Sequence, residues 1–359
     1  MRQLVRLCVA CAALLCLVPA LAQARAAMGS SAGSPTASTA PPAPTPTPAA
    51  PSVVGGSIEL TLQKTDGSPP FMLVGRSIVV RGVVTPYVGG QTVKVSFYRD
   101  GRKVGAKTVS VLGVGNGTGQ FHVAFASGYA GVVLARAAHY ATAQQAAFGG
   151  HSQGVQFVHA NLGLGSRGQS VRLLQTELDV LHYAVPLTGI FDEGTGRALV
   201  AYRKMTGLER IPYAGKRVFE LLARGAGRFR VRYPGDGRHV EANLTKQVLA
   251  EIEPGGRIRT IYTMSSGKPS TPTVIGRFRV YNKTPGENSE GMVDSNYFIR
   301  GYAIHGYAEV PTYAASHGCL RVPIPDAPAI YSWVQYGTPV DVYNEDGGGS
   351  ARVRSDAGP

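Results

Sequence analysis

The sequence predicts a multidomain protein with a β-sandwich, a three-helix domain and a mostly β domain, in that order. Three observations lead to this expectation: the chain has 359 residues, its apolar pattern changes from strand-like to helical and back, and Pro- and Gly-rich stretches interrupt it. At roughly 100 to 200 residues per domain, this length provides two or three cores. The predicted boundaries are 1–26 for a leader, 27–55 for a linker, 56–160, 161–225 and 228–344 for the domains, and 345–359 for a flexible tail.

The leader has the three parts of a secretory signal peptide. Arg2 and Arg6 precede an apolar run from Leu7 to Leu21, and small residues follow at 22–26. The sequence therefore predicts export to the periplasm or cell wall. The alternative is an uncut leader, which would hold the chain at the outer face of the cytoplasmic membrane.

Residues 27–55 predict a disordered spacer, because they are almost entirely Ser, Ala, Thr and Pro and contain the run Pro41–Pro48. Such a composition cannot bury enough apolar surface to offset its ordering entropy.

The formal charge of +14 remains strongly positive after Arg2, Arg6 and Arg25 leave with the leader. A basic exported protein is attracted to polyanions. Cell-envelope polymers or anionic lipid surfaces are the expected partners, and no nucleic acid is expected, because no recognition helix or zinc-finger spacing occurs.

Residues 56–160 contain short alternating segments separated by turn residues, which is typical of an antiparallel sandwich. Asp100-Gly101 between two of them is a hairpin signal. The predicted strands are Ile58–Leu62, Ser77–Val84, Val93–Tyr98 and Gln120–Phe125. This pattern resembles bacterial immunoglobulin-like domains, which implies a spacer or wall-docking module without chemistry.

Residues 161–225 have a helical period. Ser166 and Gln169 have capping-box spacing, and Val171, Leu174 and Leu178 follow at helical steps. Further helices are predicted at 193–205 and 216–222. The segment Gly165-Ser-Arg-Gly168, Gly189-Ile-Phe-Asp192 and Thr195 resembles the three-helix peptidoglycan-binding domain of wall enzymes; a packing module that no longer binds glycan is the alternative.

Residues 228–344 return to strand-like patterns, with room for one helix at 327–336. The result is a mostly antiparallel domain large enough for its own core. The predicted strands are 229–233, 247–252, 257–264, 276–281, 297–300 and 339–343.

Cys319 is left as the only cysteine once Cys8, Cys11 and Cys16 leave with the leader. A thiol attacks a carbonyl as thiolate, so it needs a base and backbone N–H donors for the oxyanion. His305 or His317 can be the base, and spacing alone does not decide between them. Gly318 lets the backbone of the turn approach the substrate closely.

The segments His305-Gly306 and Ser316-His-Gly-Cys-Leu-Arg321, with Thr271 to Phe278 upstream, resemble the YkuD-type catalytic domain of bacterial L,D-transpeptidases. The resemblance implies that Cys319 is the nucleophile, His305 its base and the Gly306 carbonyl the group that orients the imidazole. His317 and Gly318 match residues that frame the oxyanion hole, and Ser316 the small hydroxyl position. Substrate-binding positions are implied for Arg321, Met292 and Tyr297.

The implied activity is peptidoglycan cross-linking through a thioester, with stem peptides and glycan as partners and no cofactor or metal. Water as acceptor would make the chain a carboxypeptidase, and a lipoprotein amine would make it an anchoring enzyme. A zinc peptidase built on His305, His317 and Cys319 and a non-catalytic wall-binding protein are the rivals. The oligomeric state stays open.

The remaining titratable residues carry no such pattern. Glu287, Glu290 and Asp294 are interpreted as a solvated loop rather than a catalytic pair. Surface or packing roles are expected for His122, His139, His151, His159, His182 and His239.

Overall fold

The structure is a computed structural model that describes residues 53–347. The predicted leader, nearly all of the linker and most of the tail lie outside these residues. The first residues of the predicted tail are bonded to the domain, since Glu345 N donates to Thr245 Oγ1 and Glu345 Oε1 accepts from Asn243. Within residues 53–347, no helix has the length and apolarity that crossing a bilayer requires.

The N-terminal part is a sandwich of two sheets whose inner faces pack together. Its strands are β1 (Ser57–Gln63), β2 (Phe71–Leu73), β3 (Ser77–Thr85), β4 (Thr92–Arg99), β5 (Arg102–Ser110), β6 (Leu112–Gly115), β7 (Thr118–Ala126), β8 (Gly131–His139), β9 (Phe148–His151) and β10 (Val155–Val158). One sheet has the order β1-β3-β7-β6 and the other β2-β10-β8-β4-β5, with β9 paired to β8. Alternation buries Val93, Val95 and Phe97 between the sheets. The immunoglobulin-like assignment stays a prediction.

Three helices follow: α1 (Gln169–Val180), α2 (Glu193–Met205) and α3 (Lys216–Ala223). We call residues 161–225 the helical module. Asp192 caps α2 by accepting a hydrogen bond from Thr195 N. The predicted capping box at Ser166 is wrong, because Gly168 is the N-cap of α1 and Ser166 Oγ instead accepts from Gly163 N.

The C-terminal part is confirmed as a mostly β domain. Its elements are β11 (His239–Asn243), β12 (Val248–Glu253), β13 (Arg257–Thr263), β14 (Gly276–Arg279), β15 (Asn282–Glu287), β16 (Val293–Ile299), β17 (Tyr302–Tyr307), β18 (Leu320–Pro323), α4 (Ala327–Trp333) and β19 (Pro339–Tyr343). They form two sheets, β13-β12-β11-β19-β14 and β15-β16-β17-β18. Apolar faces of both sheets and α4 enclose one core.

The strand predicted at 229–233 is wrong. The backbone N–H groups of Arg232 and Tyr233 donate to the buried carboxylate of Glu241 at 2.7 to 3.0 Å, so a side chain takes the place of a neighbouring strand. Glu241 also accepts from the Tyr343 hydroxyl. The segment is therefore held extended against the sheet without belonging to it.

The helical module and the C-terminal domain share one hydrophobic cluster, in which Leu199 and Tyr202 meet Ala250 and Ile261. The loop after α1 also extends the sheet, because Ala184 N donates to Ile261 O and Ile261 N donates to His182 O. Burial of this joint surface stabilises both parts.

Lys204 of α2 crosses this interface with its ammonium group. Only 2% of the residue is exposed, and Nζ donates to Gln247 O at 3.0 Å, Thr263 Oγ1 at 2.7 Å and Met264 O at 2.8 Å. Burial lowers its pKa to about 7. Three oxygen acceptors match the three donors of an ammonium group. Lys204 therefore supplies hydrogen bonds to buried oxygens at the strand ends, which water does not reach.

We expect Lys204→Met to lower the free energy of unfolding by about 2–4 kcal/mol, because it leaves three buried acceptors without a donor. The measurement is urea unfolding followed by the fluorescence of Trp333, the single tryptophan. Lys216→Met is the control, since its side chain is 65% exposed and should change stability by less than about 0.5 kcal/mol. Equal midpoints for the two variants would contradict the anchoring role.

Candidate active site

The site is assembled by the parallel pairing of β17 with β18. In this register His305 lies opposite Arg321 and Ile304 opposite Leu320. Cys319 directly precedes β18 and lies two residues before Arg321, which places both on one face of the sheet. The imidazole on the neighbouring strand is thus that of His305, whereas His317 lies in the exposed part of the turn near Lys268.

His305 is held in one orientation. Its residue is 3% exposed, and Nδ1 lies 2.9 Å from the carbonyl oxygen of Gly306. Because a carbonyl only accepts, Nδ1 carries the proton and Nε2 has the free lone pair. Burial, with a further effect of the Arg321 charge, lowers the pKa of His305 to about 4. The imidazole is therefore neutral at neutral pH and able to accept a proton.

Cys319 is partly buried, and its Sγ donates to the carbonyl oxygen of Gly301 at 3.6 Å. Burial raises the pKa of the thiol, a hydrogen bond from the Ala303 backbone and the charge of Arg321 oppose that rise, and Glu290 adds to it. The thiol and the imidazole thus both rest in their neutral forms. An attack by this thiol would therefore require the transfer of its proton to a base.

The turn before Cys319 is fixed by Ser316, whose side chain is fully buried. Its Oγ donates to Cys319 O at 2.6 Å and accepts from Gly318 N at 3.0 Å. Gly318 has a φ of 124°, and an added Cβ would lie 2.1 Å from the ring of Tyr302. Only glycine fits this close approach without displacing its neighbours.

A second loop, residues 265–273, supports the turn from behind. Ser265 and Arg321 exchange two backbone hydrogen bonds of 2.9 Å, and Ser266 O accepts from Ser316 N at 2.9 Å. Thr273 Oγ1 donates to Gly318 O at 2.8 Å. The side chain of Gln247 fixes Ser266 in turn through bonds of 2.7 and 2.9 Å. The turn before Cys319 is therefore supported by the same strand ends to which Lys204 donates hydrogen bonds.

The three predicted substrate residues lie at different places. Arg321 stacks on the ring of Tyr307, with Cζ 4.0 Å from the centroid, and no acid in residues 53–347 forms an ion pair with it. Tyr297 lies opposite Ala303 in register, on the face that carries His305. Met292 is 6% exposed at the end of the β15–β16 turn, where Asn288 accepts from its backbone N–H.

A cavity of about 530 Å³ borders this site between α2 and the end of β17. Tyr307 is common to both, because its ring also lies edge-on to that of His305 at 5.6 Å. Arg197 and Asp326 close one side with paired hydrogen bonds of 3.1 and 3.2 Å. The helical module therefore forms one wall of the approach to the strands that carry the site.

The other titratable residues singled out from the sequence form no hydrogen bond with Cys319 or His305, and Glu290 acts on the thiol only through its charge. His239 is buried with Glu241, with 3.3 Å between Nε2 and Oε1. Glu287 and Glu290 are exposed, and Asp294 accepts from Gly286 N within the same hairpin. Across residues 53–347, no three His, Cys, Asp or Glu side chains are grouped so that they could hold a metal ion.

Several supporting residues were missed from the sequence. Ser265, Ser266, Gln247 and Tyr302 act only through contacts with a turn that lies far away along the chain. The run Ser265-Ser-Gly after an apolar strand marks a polar strand end, but no local signal connects it to residues 313–321. Tyr307 follows His305 at a two-residue step, so its position on the same face of the strand could have been predicted.

Comparison with known proteins identifies the class of the domain that carries this site. The family model of the L,D-transpeptidase catalytic domain, YkuD, matches residues 237–342. No curated protein matches the chain.

Among solved structures, an L,D-transpeptidase from Xylanimonas cellulosilytica is 32% identical and covers 51% of this chain and 98% of its own, with a TM-score of 0.47. The L,D-transpeptidase from Stackebrandtia nassauensis is 22% identical and covers 53% and 98%, with a TM-score of 0.34. One from Mycobacterium tuberculosis is 12% identical and covers 79% and 96%, with a TM-score of 0.27. The family match therefore identifies residues 237–342 as an L,D-transpeptidase catalytic domain of the YkuD type.

We expect alkylation of Cys319 by iodoacetamide, in the chain from residue 27 onward, to accelerate with pH up to at least pH 9. The pKa of the thiol lies above its ordinary value of 9.0, so less than about 1% is thiolate at pH 7. The rate should therefore rise about tenfold per pH unit from pH 6 to 9. The measurement is intact-protein mass against time, and Arg321→Gln should be slower at each pH. A rate that is constant from pH 5 to 8 would instead indicate a preformed thiolate–imidazolium pair.

Proposed function

We propose that this chain is an exported L,D-transpeptidase that forms peptidoglycan cross-links by cysteine acyl transfer. The observation that supports it most is that His305 is neutral and that its Nδ1 donates to the Gly306 carbonyl. His305 lies on β17, which pairs with β18, the strand that Cys319 directly precedes. This is the arrangement that a general base for a thiol requires. The orienting group is a backbone carbonyl rather than a carboxylate.

In the first step, Cys319 Sγ attacks the carbonyl carbon of the L-centre of the third stem-peptide residue, and His305 Nε2 takes the thiol proton. The oxyanion is held by backbone N–H groups of the turn. Because Gly318 N–H already donates to Ser316 Oγ, we assign this role to the N–H groups of His317 and Cys319. Collapse breaks the amide bond, and His305 returns its proton to the departing D-Ala amine, which leaves a thioester.

In the second step, an amine of a neighbouring stem attacks the thioester carbonyl. His305 Nε2 takes a proton from that amine, the carbon–sulfur bond breaks, and the proton passes to the thiolate. The products are a new amide cross-link and the free thiol. No cofactor or metal enters either step, since the base and the N–H donors carry the proton and the charge.

Arg321 has two parts in this mechanism. Its charge lowers the pKa of the Cys319 thiol and also that of His305, so it favours the thiolate. Its guanidinium has no carboxylate partner within the described residues, and it would bind a carboxylate of the donor stem. Tyr297 and Met292 would contact the donor peptide beside it.

The alternative activities share this chemistry and differ in the group that accepts the acyl group from the thioester. Water would give an L,D-carboxypeptidase, and a lipoprotein amine would give a wall-anchoring enzyme. The predicted leader supports action in the periplasm or cell wall, on peptidoglycan stem peptides and glycan. Glycan binding by the helical module is part of the same hypothesis.

The test is intact-protein mass spectrometry after incubation with imipenem, a carbapenem whose lactam carbonyl resembles a peptide acyl donor. We expect the parent chain from residue 27 onward to gain the mass of one imipenem molecule and Cys319→Ala to gain none. His305→Gln should acylate at least about 100-fold more slowly, because it lacks the base. A folded, reduced parent that gains no mass would instead favour a non-catalytic wall-binding protein.

Gly318→Ala should reduce the rate of imipenem acylation by about 100-fold or more, because the added Cβ collides with the Tyr302 ring and moves the turn. Gly337→Ala is the matched control: its φ is also positive, at 79°, but its added Cβ meets no atom within 4 Å. Stopped-flow or timed mass measurements compare the two. A parent-like rate for Gly318→Ala would show that the turn does not need this close approach.

A further inference from the structure

The outer face of one sheet in the sandwich carries a concentration of positive charge far from the thiol in sequence. On β4, Lys94, Ser96 and Tyr98 point away from the core, because Val93, Val95 and Phe97 point into it. On the adjacent β8, Arg136 lies opposite Ser96 in register. These side chains therefore share one solvent face.

The neighbouring strands add to this face. His151 of β9 lies opposite Arg136, and Lys103 of β5 lies opposite Tyr98. Tyr140, just after β8, is 63% exposed. We call this set the basic face; its members are Lys94, Lys103, Arg136 and His151 with Tyr98 and Tyr140.

The basic face lines a cavity of about 680 Å³ that has no Asp or Glu among its lining residues. None of its four basic side chains forms an ion pair with an acid in residues 53–347. Arg136 instead stacks on Tyr98, with Cζ 5.0 Å from the centroid, and Lys94 Nζ lies 6.0 Å from the centroid of Tyr140. Two of the four basic side chains thus contact aromatic rings, and none has a counter-charge within residues 53–347.

Lys94 and Arg136 are diagonal neighbours on β4 and β8, close enough for their long side chains to interact. An anion that binds beside such cations, with no acid near them, therefore lowers the free energy of the face. Arg and Lys suit phosphate or carboxylate groups, and the rings of Tyr98 and Tyr140 offer apolar faces with a polar edge, which sugar rings can stack against.

We propose that the basic face binds an anionic polysaccharide of the cell envelope, with an acidic group on its repeating unit. Lys94, Lys103 and Arg136 bind the acidic groups, while Tyr98 and Tyr140 contact the sugar rings. The catalytic domain belongs to a family of peptidoglycan enzymes, so wall glycans are the polyanions that surround it. This site is separate from Cys319 and does not depend on the acyl-transfer mechanism.

The face suits a polymer other than peptidoglycan itself. Peptidoglycan stems carry amines as well as carboxylates, and the basic face has no acid to accept an amine. Its concave form also suits an extended chain of sugars better than the flat surface of a membrane. Binding at this face would retain the chain on the wall while the catalytic domain works on a different polymer.

The experiment measures the affinity of the chain from residue 27 onward for fluorescent hyaluronate oligosaccharides, which carry one carboxylate per disaccharide. We expect Lys94→Gln/Arg136→Gln to weaken binding by about tenfold or more and to reduce its salt dependence. Tyr98→Ala/Tyr140→Ala should also weaken it. Lys64→Gln/Lys107→Gln removes the same charge from exposed positions off the face and should bind like the parent. Far-UV circular dichroism and the thermal unfolding midpoint serve as the folding controls and should be unchanged in all variants.

Neutral dextran, oligo-dT and vesicles that contain phosphatidylglycerol complete the set of probes. The proposal requires that hyaluronate bind more tightly than each of them. Equal losses in the two charge variants would show that only net charge matters and would overturn the site. Tighter binding of oligo-dT or of vesicles, lost in Lys94→Gln/Arg136→Gln, would assign the face to a different class of ligand.

Discussion

The parallel pairing of β17 with β18 is the constraint on which the site depends. A shift of one residue in that register would turn either Cys319 or His305 toward the core. Parallel neighbours need a crossover between them, and here residues 308–319 make it without a helix. Within this crossover, Ser266 O accepts from the backbone N–H groups of Ala315 and Ser316, and Ser265 Oγ donates to Tyr313 O. Arg210 of the helical module donates to Thr312 O at 2.5 Å. Loop contacts thus take over the task that a packed helix performs in other parallel pairs.

The pKa values of Cys319 and His305 are set by two effects, the burial of both groups and the positive charge of Arg321. Burial disfavours the thiolate and the imidazolium alike. Arg321 breaks this symmetry, since a cation favours the thiolate and disfavours the imidazolium. The resting pair is consequently uncharged, so in the proposed mechanism charge would develop only as the thiol attacks.

Much of the architecture could be predicted because its signals are local. Asp192 and Thr195 mark the start of α2, alternation marks β4, and the order of His305, Ser316 and Cys319 marks the catalytic segment. The strand at 229–233 was wrong because Glu241, which replaces its partner strand, lies several residues beyond it. The strands β17 and β18 were missed because they are short, and His305 and Gly306 interrupt the apolar pattern of β17. From the sequence alone, Lys204 has the pattern of a surface lysine on an amphipathic helix. Its buried role becomes visible only in the structure, where oxygens of the neighbouring sheet accept its hydrogen bonds.

The hydrophobic cluster beneath the helical module has a consequence for how such chains can be rearranged. It begins at Phe71, Leu73 and Val158 of the sandwich, passes through α1 to α3 and ends at Val248 and Ile261 of the catalytic sheet. A gene fusion that exchanged the sandwich could keep the catalytic half intact only if the incoming domain offered an apolar edge to Phe219, which now meets Phe71 edge-on at 6.4 Å. The helices, by contrast, pack directly against the catalytic sheet. Because the helices and that sheet bury one apolar cluster between them, an exchange would have to move both together.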